Sequence, residues 1–536
     1  MSNFNCRSLL PLLPSGNVDL ASIGRTNRVY SDEEGAYIRN ILLVARQQKE
    51  EIVDLIGRCE VALAPHKKLP PDVLRSIFHF SSETRAEFPL SKGGVGLRLL
   101  RITHVCSAWR QLAFEMPALW SDLSIYLSSA DRSRHHKTLS SARQWFTRAQ
   151  DMPRSLFIDL VWLGSYDVPH LHDVWEQILK FIALYRLRDL ELKYPANHLK
   201  LKLPDHAWPS IERLHLINER FKSSTNSLFS DSGTLFNLKH FKIWGASNHR
   251  GLDNVIRWHQ LRTLDIRAFE HSEIITPSFC LNVLRQCHLL EYCDLSLGKE
   301  PSFVSTAVAS GKEKIVLANM DHLCLRFFDG SVASAFLQPL VIPNITTFIL
   351  GIEYFDETWA KLNCDMAALI GIIQCSAGMH QIHRLEIETS PLLDIGILLE
   401  LLPSLEQISI ESGHLTANAI ERLSSGRLGP RLWDICLDHT HDVDKILSMV
   451  ESRHQNATKS FDSEQIESRL CPFKKISIPC TAVNSSRSYH GQIEGLSSKC
   501  DVDMWLGVSE DEGSEEDDSV DEDYSEDESD YGYAEL

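Results

Sequence analysis

The stretch LRDLEL at residues 187–192 is followed by IERLHL at 211–216, LKHFKI at 238–243 and LRTLDI at 261–266. Each copy has apolar residues at its first, fourth and sixth positions and variable residues between them. The pattern continues as LEYCDL from 290, MDHLCL from 320, ITTFIL from 345, IHRLEI from 382, LEQISI from 405, LWDICL from 432 and FKKISI from 473. Weaker copies begin at WSDLSI (120) and SLFIDL (155), and most neighbouring copies start 23 to 30 residues apart. Alternation at the end of each copy predicts a short strand, and the fixed period predicts one strand per repeat, each stacked on its neighbours to bury its apolar edge.

Helical patterns fill the intervals. LHDVWEQILKFIALYR (171–186) puts Leu171, Val174, Trp175, Ile178, Leu179 and Ile182 on one side, and LNVLRQC (281), MAALIGIIQC (366), DIGILLELL (394) and VDKILSMVESR (443) do so more briefly. One strand and one helix per repeat predicts an α/β fold, a leucine-rich-repeat solenoid over 121–500 with a horseshoe of parallel strands and outer helices. Such a fold also accommodates 536 residues, because a solenoid lengthens without needing a new core.

Working outward, residues 1–30 lack periodicity and read as a flexible N-terminus. Residues 31–64 carry acids at their start and apolar residues at Ile38, Ile41, Leu42, Ala45, Ile52, Leu55 and Ile56, the spacing of an amphipathic helix. It is expected to pack on the next domain, with a coiled-coil pairing as the alternative. In 65–120, LPPDVLRSIFHF predicts a proline-started helix with Val73, Leu74, Ile77 and Phe78 on one face. After the glycine-rich SKGGVG, a second helix is expected to carry Leu99, Ile102, Val105, Cys106 and Trp109 on one stripe. So short a segment cannot bury all of this apolar surface by itself, which implies a partner.

Residues 501–536 hold 17 acids and no Lys or Arg, so most of the net charge of −18 sits in a tail read as disordered. Its Ser509, Ser514, Ser519, Ser525 and Ser529 are followed by acids, a pattern suited to an acidophilic kinase. The remaining body is nearly neutral, which argues against a nucleic-acid partner. No apolar run reaches membrane-spanning length, and thirteen cysteines without CxxC pairs read as reduced core thiols, so a cytoplasmic or nuclear chain without a membrane partner is expected.

The segment Leu69 to Trp120 resembles the F-box: Leu69 and Pro70, then Val73, Leu74, Ile77 and Phe78, then Val105 and Cys106 with Trp109, Arg110 and Leu112, and finally Leu119 and Trp120. With the leading helix and the repeats, the whole resembles the fungal (mushroom-type) F-box proteins with leucine-rich repeats. The resemblance implies that Leu69, Pro70, Val73, Leu74, Ile77, Phe78, Val105, Cys106, Trp109 and Leu112 dock on a Skp-type adaptor, itself linked to a cullin scaffold. It further implies that the repeats hold a protein substrate of an SCF-type ubiquitin ligase.

The variable positions of each repeat strand should face the concave surface. They include Arg213, His215, His240, Lys242, Trp244, Arg267, Tyr292, His322 and Arg326 in the early repeats, and Glu386, Glu388, Glu411, Asp434 and Asp438 later. The first group suits an acidic or phosphorylated segment, and the acidic tail could compete for it. No catalytic motif emerges, no cofactor or metal is called for, and RHHK (134–137) reads as a solvated polar loop. The expectation is a non-enzymatic substrate adaptor. The alternatives are a protein-interaction scaffold outside any ligase and a regulator of a nucleotide hydrolase.

Overall fold

The structure, a computed structural model, describes residue 25 and residues 28–81, 85–89, 95–128, 134–161, 168–194, 201, 208–218, 234–245, 252–267, 275–298, 300, 314–328, 332–352, 381–387, 393–410, 413–437, 443–461, 470–480 and 483–508. Most of the expected flexible N-terminus, most of SKGGVG, the helical pattern at 366 and the chain from 509 lie outside the described residues. Two compact units emerge, one of residues up to 83 with 99–116, the other of 84–98 with 117 onward.

The first unit opens with helix α1 (Asp32–Leu63). Ser31 and Glu34 form its capping box: the Ser31 hydroxyl accepts from the Glu34 N–H at 3.2 Å, and the Glu34 carboxylate accepts from the Ser31 N–H at 2.9 Å. Acids at 32–34 sit favourably in the positive first turn, and Pro65 follows the end. None of its 32 residues is buried, so the expectation that this helix packs on its neighbour is corrected.

Helix α2 (Pro71–Ser81) begins on a proline whose missing N–H would have had no partner in the first turn. It buries Leu74 and Phe78, four residues apart. The single second helix expected through Cys106 is instead two, α3 (Val95–Val105) and α4 (Ser107–Phe114). Cys106 is fully extended between them (φ −162°, ψ 170°), which breaks the helical stripe. Arg110 closes this corner by donating to the Thr103 carbonyl at 2.9 Å.

The second unit carries a 15-stranded parallel sheet whose strand order follows the chain. Strands Asp122–Ser128, Arg154–Val161 and Leu187–Tyr194 are succeeded by a strand at each of the other ten repeats, from Arg213–Asn218 to Lys475–Cys480. Registers align the repeats: Leu190, Leu214, Phe241, Leu264, Cys293 and Leu323 form one continuous inward row, and Leu192, Leu216, Ile243, Ile266, Leu295 and Leu325 a second. All of them are buried. Helices including His135–Arg148, Val168–Ile182, Pro277–Gln286, Ile395–Leu401, Ala417–Ser424 and Val443–Phe461 alternate with the strands.

A backbone bond recurs just before the strands: Lys239, Arg262, Glu291, Asp321 and Thr346 each donate to the matching carbonyl of the preceding repeat at 2.8 to 2.9 Å. Asn237, Asn319 and Asn344, each preceding the first apolar residue of a copy, donate to Pro209, His288 and Ala318 carbonyls. Toward the far end, Arg453 is wholly buried, and among the described residues no carboxylate pairs with it. Its guanidinium donates to the carbonyls of Leu423, Gly429, Leu432 and Cys471 at 2.7 to 2.9 Å and lies 4.5 Å from the Phe473 ring centre. Burial brings its pKa down to about 10, still charged at neutral pH.

Three expectations change here. The sheet begins at Ala86–Phe88, inside the segment assigned to the helical module, and ends at Asp503–Val508, inside the segment assigned to the tail. Trp120, expected to close the helical module, is buried in the second unit, 4.7 Å from Trp145, which also meets Phe88 at 5.4 Å. RHHK is not a polar loop: His135 opens a helix, is buried, and bonds the Ser128 carbonyl at 2.8 Å.

Candidate interaction surfaces

On α2, two adjacent stripes have different fates. Leu74 and Phe78 turn inward, where the Phe78 ring meets Trp109 edge-on at 5.3 Å, and Leu112 is buried as well. Val73 (44 % exposed), Ile77 (38 %) and Phe80 (70 %) follow one another at four and three residues and remain open. Pro70 is exposed three residues before Val73, Val105 is 39 % exposed, and Leu69, Cys106 and Trp109 are half-buried. Of the ten residues expected to dock, Leu74, Phe78 and Leu112 therefore hold the helices together, while Pro70, Val73, Ile77 and Val105 present apolar surface. Phe80 was missed, although its three-residue spacing from Ile77 is readable in the sequence. Burying three such side chains contributes roughly 2–4 kcal/mol before ordering costs.

In the second unit, all eight residues expected to contact a substrate lie on the sheet face opposite the core rows. One cross-strand row runs Asp189, Arg213, His240, Thr263, Tyr292, His322. The next runs Glu191, His215, Lys242, Asp265, Asp294, and a third holds Lys193, Trp244 and Arg267. Arg326 stands four residues beyond His322 on the same face. Tyr292 and His322 stack at 4.4 Å, His215 meets Trp244 edge-on at 5.0 Å, and Arg267 lies over Trp244 at 4.7 Å.

The sequence shows Asp265 and Asp294 interrupting the basic patch, and the structure sets them beneath the cations. Asp265 (0 % exposed) receives Arg267 at 3.0 Å, the Trp244 indole N–H at 3.1 Å and Lys242 at 3.7 Å. Asp294 (2 % exposed) receives Arg267 at 2.8 Å and Arg326 at 2.6 Å. Asp189 binds Arg213 through two bonds and accepts from Ser155 at 2.7 Å, Glu191 joins Arg85 and His215, and Asp159 takes Lys193 at 3.2 Å. Five carboxylates thus hold Arg85, Arg188, Lys193, Arg213, Lys242, Arg267 and Arg326 in place, so most of the positive charge of this face is compensated and its arginines are fixed in direction rather than free.

Titration follows this layering. Burial, reinforced by neighbouring Asp294, pushes the Asp265 carboxyl up despite its cations. Burial also opposes ionisation of Glu191, but hydrogen bonds from His215 and Arg85 outweigh it and hold that carboxyl at about 2. Burial lowers the His240 and His322 imidazoles, which are therefore neutral near pH 7 and serve as hydrogen-bonding and stacking groups, with His240 2.8 Å from the Thr263 hydroxyl. Along the later strands, Glu386 pairs with Arg384 and burial raises the Asp434 carboxyl, whereas Glu388, Glu411 and Asp438 lie outside the described residues. Among the described residues, no group of three or more His, Cys, Asp or Glu is placed to share a metal ion, and no helix is long and apolar enough to cross a membrane.

Residues 66–126 match the protein-family model described as F-box-like. The chain carries an F-box-like domain. Domains of this kind dock on Skp-type adaptors, and the match extends past the F-box-like helices into the strand Asp122–Ser128. Among solved structures, an internalin from Listeria monocytogenes is similar over 57 % of this chain and 80 % of its own, at 11 % identity and a TM-score of 0.27. At that score it adds nothing to the repeat fold described above. No curated protein matches the sequence.

Proposed function

We propose that this protein is a non-enzymatic substrate-recognition adaptor of an SCF-type ubiquitin ligase, of the kind found in fungal F-box proteins with leucine-rich repeats. The F-box-like helices dock on a Skp-type adaptor joined to a cullin, and the polar face of the repeat sheet holds a protein substrate. The observation that carries the reading is the open apolar stripe of Val73, Ile77 and Phe80 on α2, within the stretch that matches the F-box-like model. A stripe of this kind is a helix face awaiting a partner's groove. On the repeat sheet, fixed guanidiniums beside Trp244 and the Tyr292–His322 stack offer the aromatic and arginine anchors that dominate protein interfaces.

Binding of purified chain to a purified Skp-type adaptor tests the docking half. Replacing Val73 and Ile77 together by Asp is expected to weaken it at least tenfold while circular dichroism stays unchanged, because both side chains already face water. Undiminished binding would remove the reading. Recovery of the adaptor without a cullin from cells would favour a scaffold outside the ligase.

A further inference from the structure

The leading helix is not used by either surface above. None of its 32 residues is fully buried; Ile38, Ile41 and Gln48 are half-buried, and Leu42, Ile52, Leu55, Ile56 and Leu63 are each about half exposed or more. Apolar residues recur every seven residues at two of its heptad positions, flanked by Leu42, Ile56 and Leu63, while Leu43, Val53 and Val61 lie outside this stripe. Ile38, Ala45, Ile52 and Cys59 fall at the first heptad position, and Ile41, Gln48, Leu55 and Ala62 at the fourth. A seven-residue repeat of first and fourth positions lets two helices supercoil around each other.

We propose that Asp32–Leu63 pairs with the same helix of a second copy, as a parallel, in-register, two-stranded coiled coil. Three observations select this occupant. In the second half of the helix, Ile52 at the first position with Leu55 at the fourth favours two parallel strands, against the Ile38 and Ile41 layer near its start. Gln48, the single polar layer, meets its twin amide only in that register, since an antiparallel arrangement sets it against Ala45, Ile52 or Cys59. The flanking pairs across a parallel dimer are Tyr37 with Leu42, Val44 with Lys49, Glu51 with Ile56 and Arg58 with Leu63, so no like charges meet. Asp54 already neutralises Arg58 within the helix at 3.0 Å, leaving the arginine stem to cover Leu63 of the other copy.

The area is adequate. Ten apolar side chains per helix, each losing about 60 Å², bury roughly 1,200 Å² in total, at the lower bound of specific interfaces. The inference does not depend on the docking reading, because α1 contributes none of the F-box-like stripe. Its consequence is two substrate faces in each assembly.

Exposed Cys59 supplies the test, because first-position cysteines of a parallel in-register pair lie side by side. Sedimentation equilibrium of the reduced full chain should give a dimer of twice 60.9 kDa. Copper–phenanthroline oxidation should trap that dimer on non-reducing gels, and Cys59→Ser should abolish the trapping. Joint Ile52→Asp and Leu55→Asp changes should weaken dimerisation at least 100-fold and leave binding of the Skp-type adaptor intact. A monomer at tens of micromolar, or a dimer indifferent to the Asp changes, would overturn the proposal. A dimer sensitive to the Asp changes but not trapped through Cys59 would overturn the parallel register.

Discussion

Glu191 is held between Arg85 at 2.8 Å and His215 at 3.0 Å on the polar face of the sheet. Those two hydrogen bonds depress its folded pKa to about 2 against an ordinary value of 4.5. An acid with a depressed folded pKa contributes stability that is complete above its unfolded pKa and is lost as pH falls toward the folded one. Glu191→Gln is therefore expected to cost roughly 2 kcal/mol at pH 6, with the difference from wild type shrinking between pH 4.5 and pH 2. Urea unfolding monitored across that pH range measures it. A pH-independent difference would mean the residue acts through packing alone. Such carboxylates were hard to find in the sequence because a repeat pattern marks which positions face away from the core, not which of two neighbouring polar residues lies deeper. Asp265 and Arg267 differ by two residues, stand on the same face, and end at opposite depths.

At the scale of the element, the interior strands were legible because L-x-x-L-x-L encodes both their alternation and their stacking. The two edge strands were not. Ala86–Phe88 is three residues long, and Asp503–Val508 follows a helix with no full copy of the pattern, so only pairing with a neighbour reveals them. Nor could periodicity show that Cys106 leaves the helical stripe, since an extended residue between two short helices preserves the spacing of three and four. The asparagine before several strands is a subtler signal with a direct energetic role. Asn344 donates its amide to the Ala318 carbonyl at 2.6 Å, tying one repeat to the last. Asn344→Ala should lower stability by about 1 kcal/mol, the usual net value of one such bond. Hydrogen exchange should speed up first in 340–350, the segment that loses the tie, and uniform destabilisation would contradict this local account.

Across the whole molecule, charge is distributed in two distinct ways. The polar face sets its cations against underlying carboxylates, while residues 509–536 carry fifteen acids and no base. This tail begins at the residue after Asp503–Val508, the last strand of the sheet. An edge strand offers unpaired N–H and C=O groups to any second copy, and adjoining like charge opposes that approach. Deleting 509–536 would leave a net charge of −3 in place of −18, with the isoelectric point raised above 5.7. The truncated chain should accordingly lose solubility near pH 6 to 7 and aggregate through its edge, as light scattering would record. Substrate capture by the polar face should not change, because its guanidiniums already have carboxylate partners and attract a further polyanion weakly. The cut must fall after Val508, since removing 501–508 would also strip a strand from the sheet and confound the result. Capture that tightens several-fold at low salt on deletion, and not in high salt, would instead mean that the tail competes for that face.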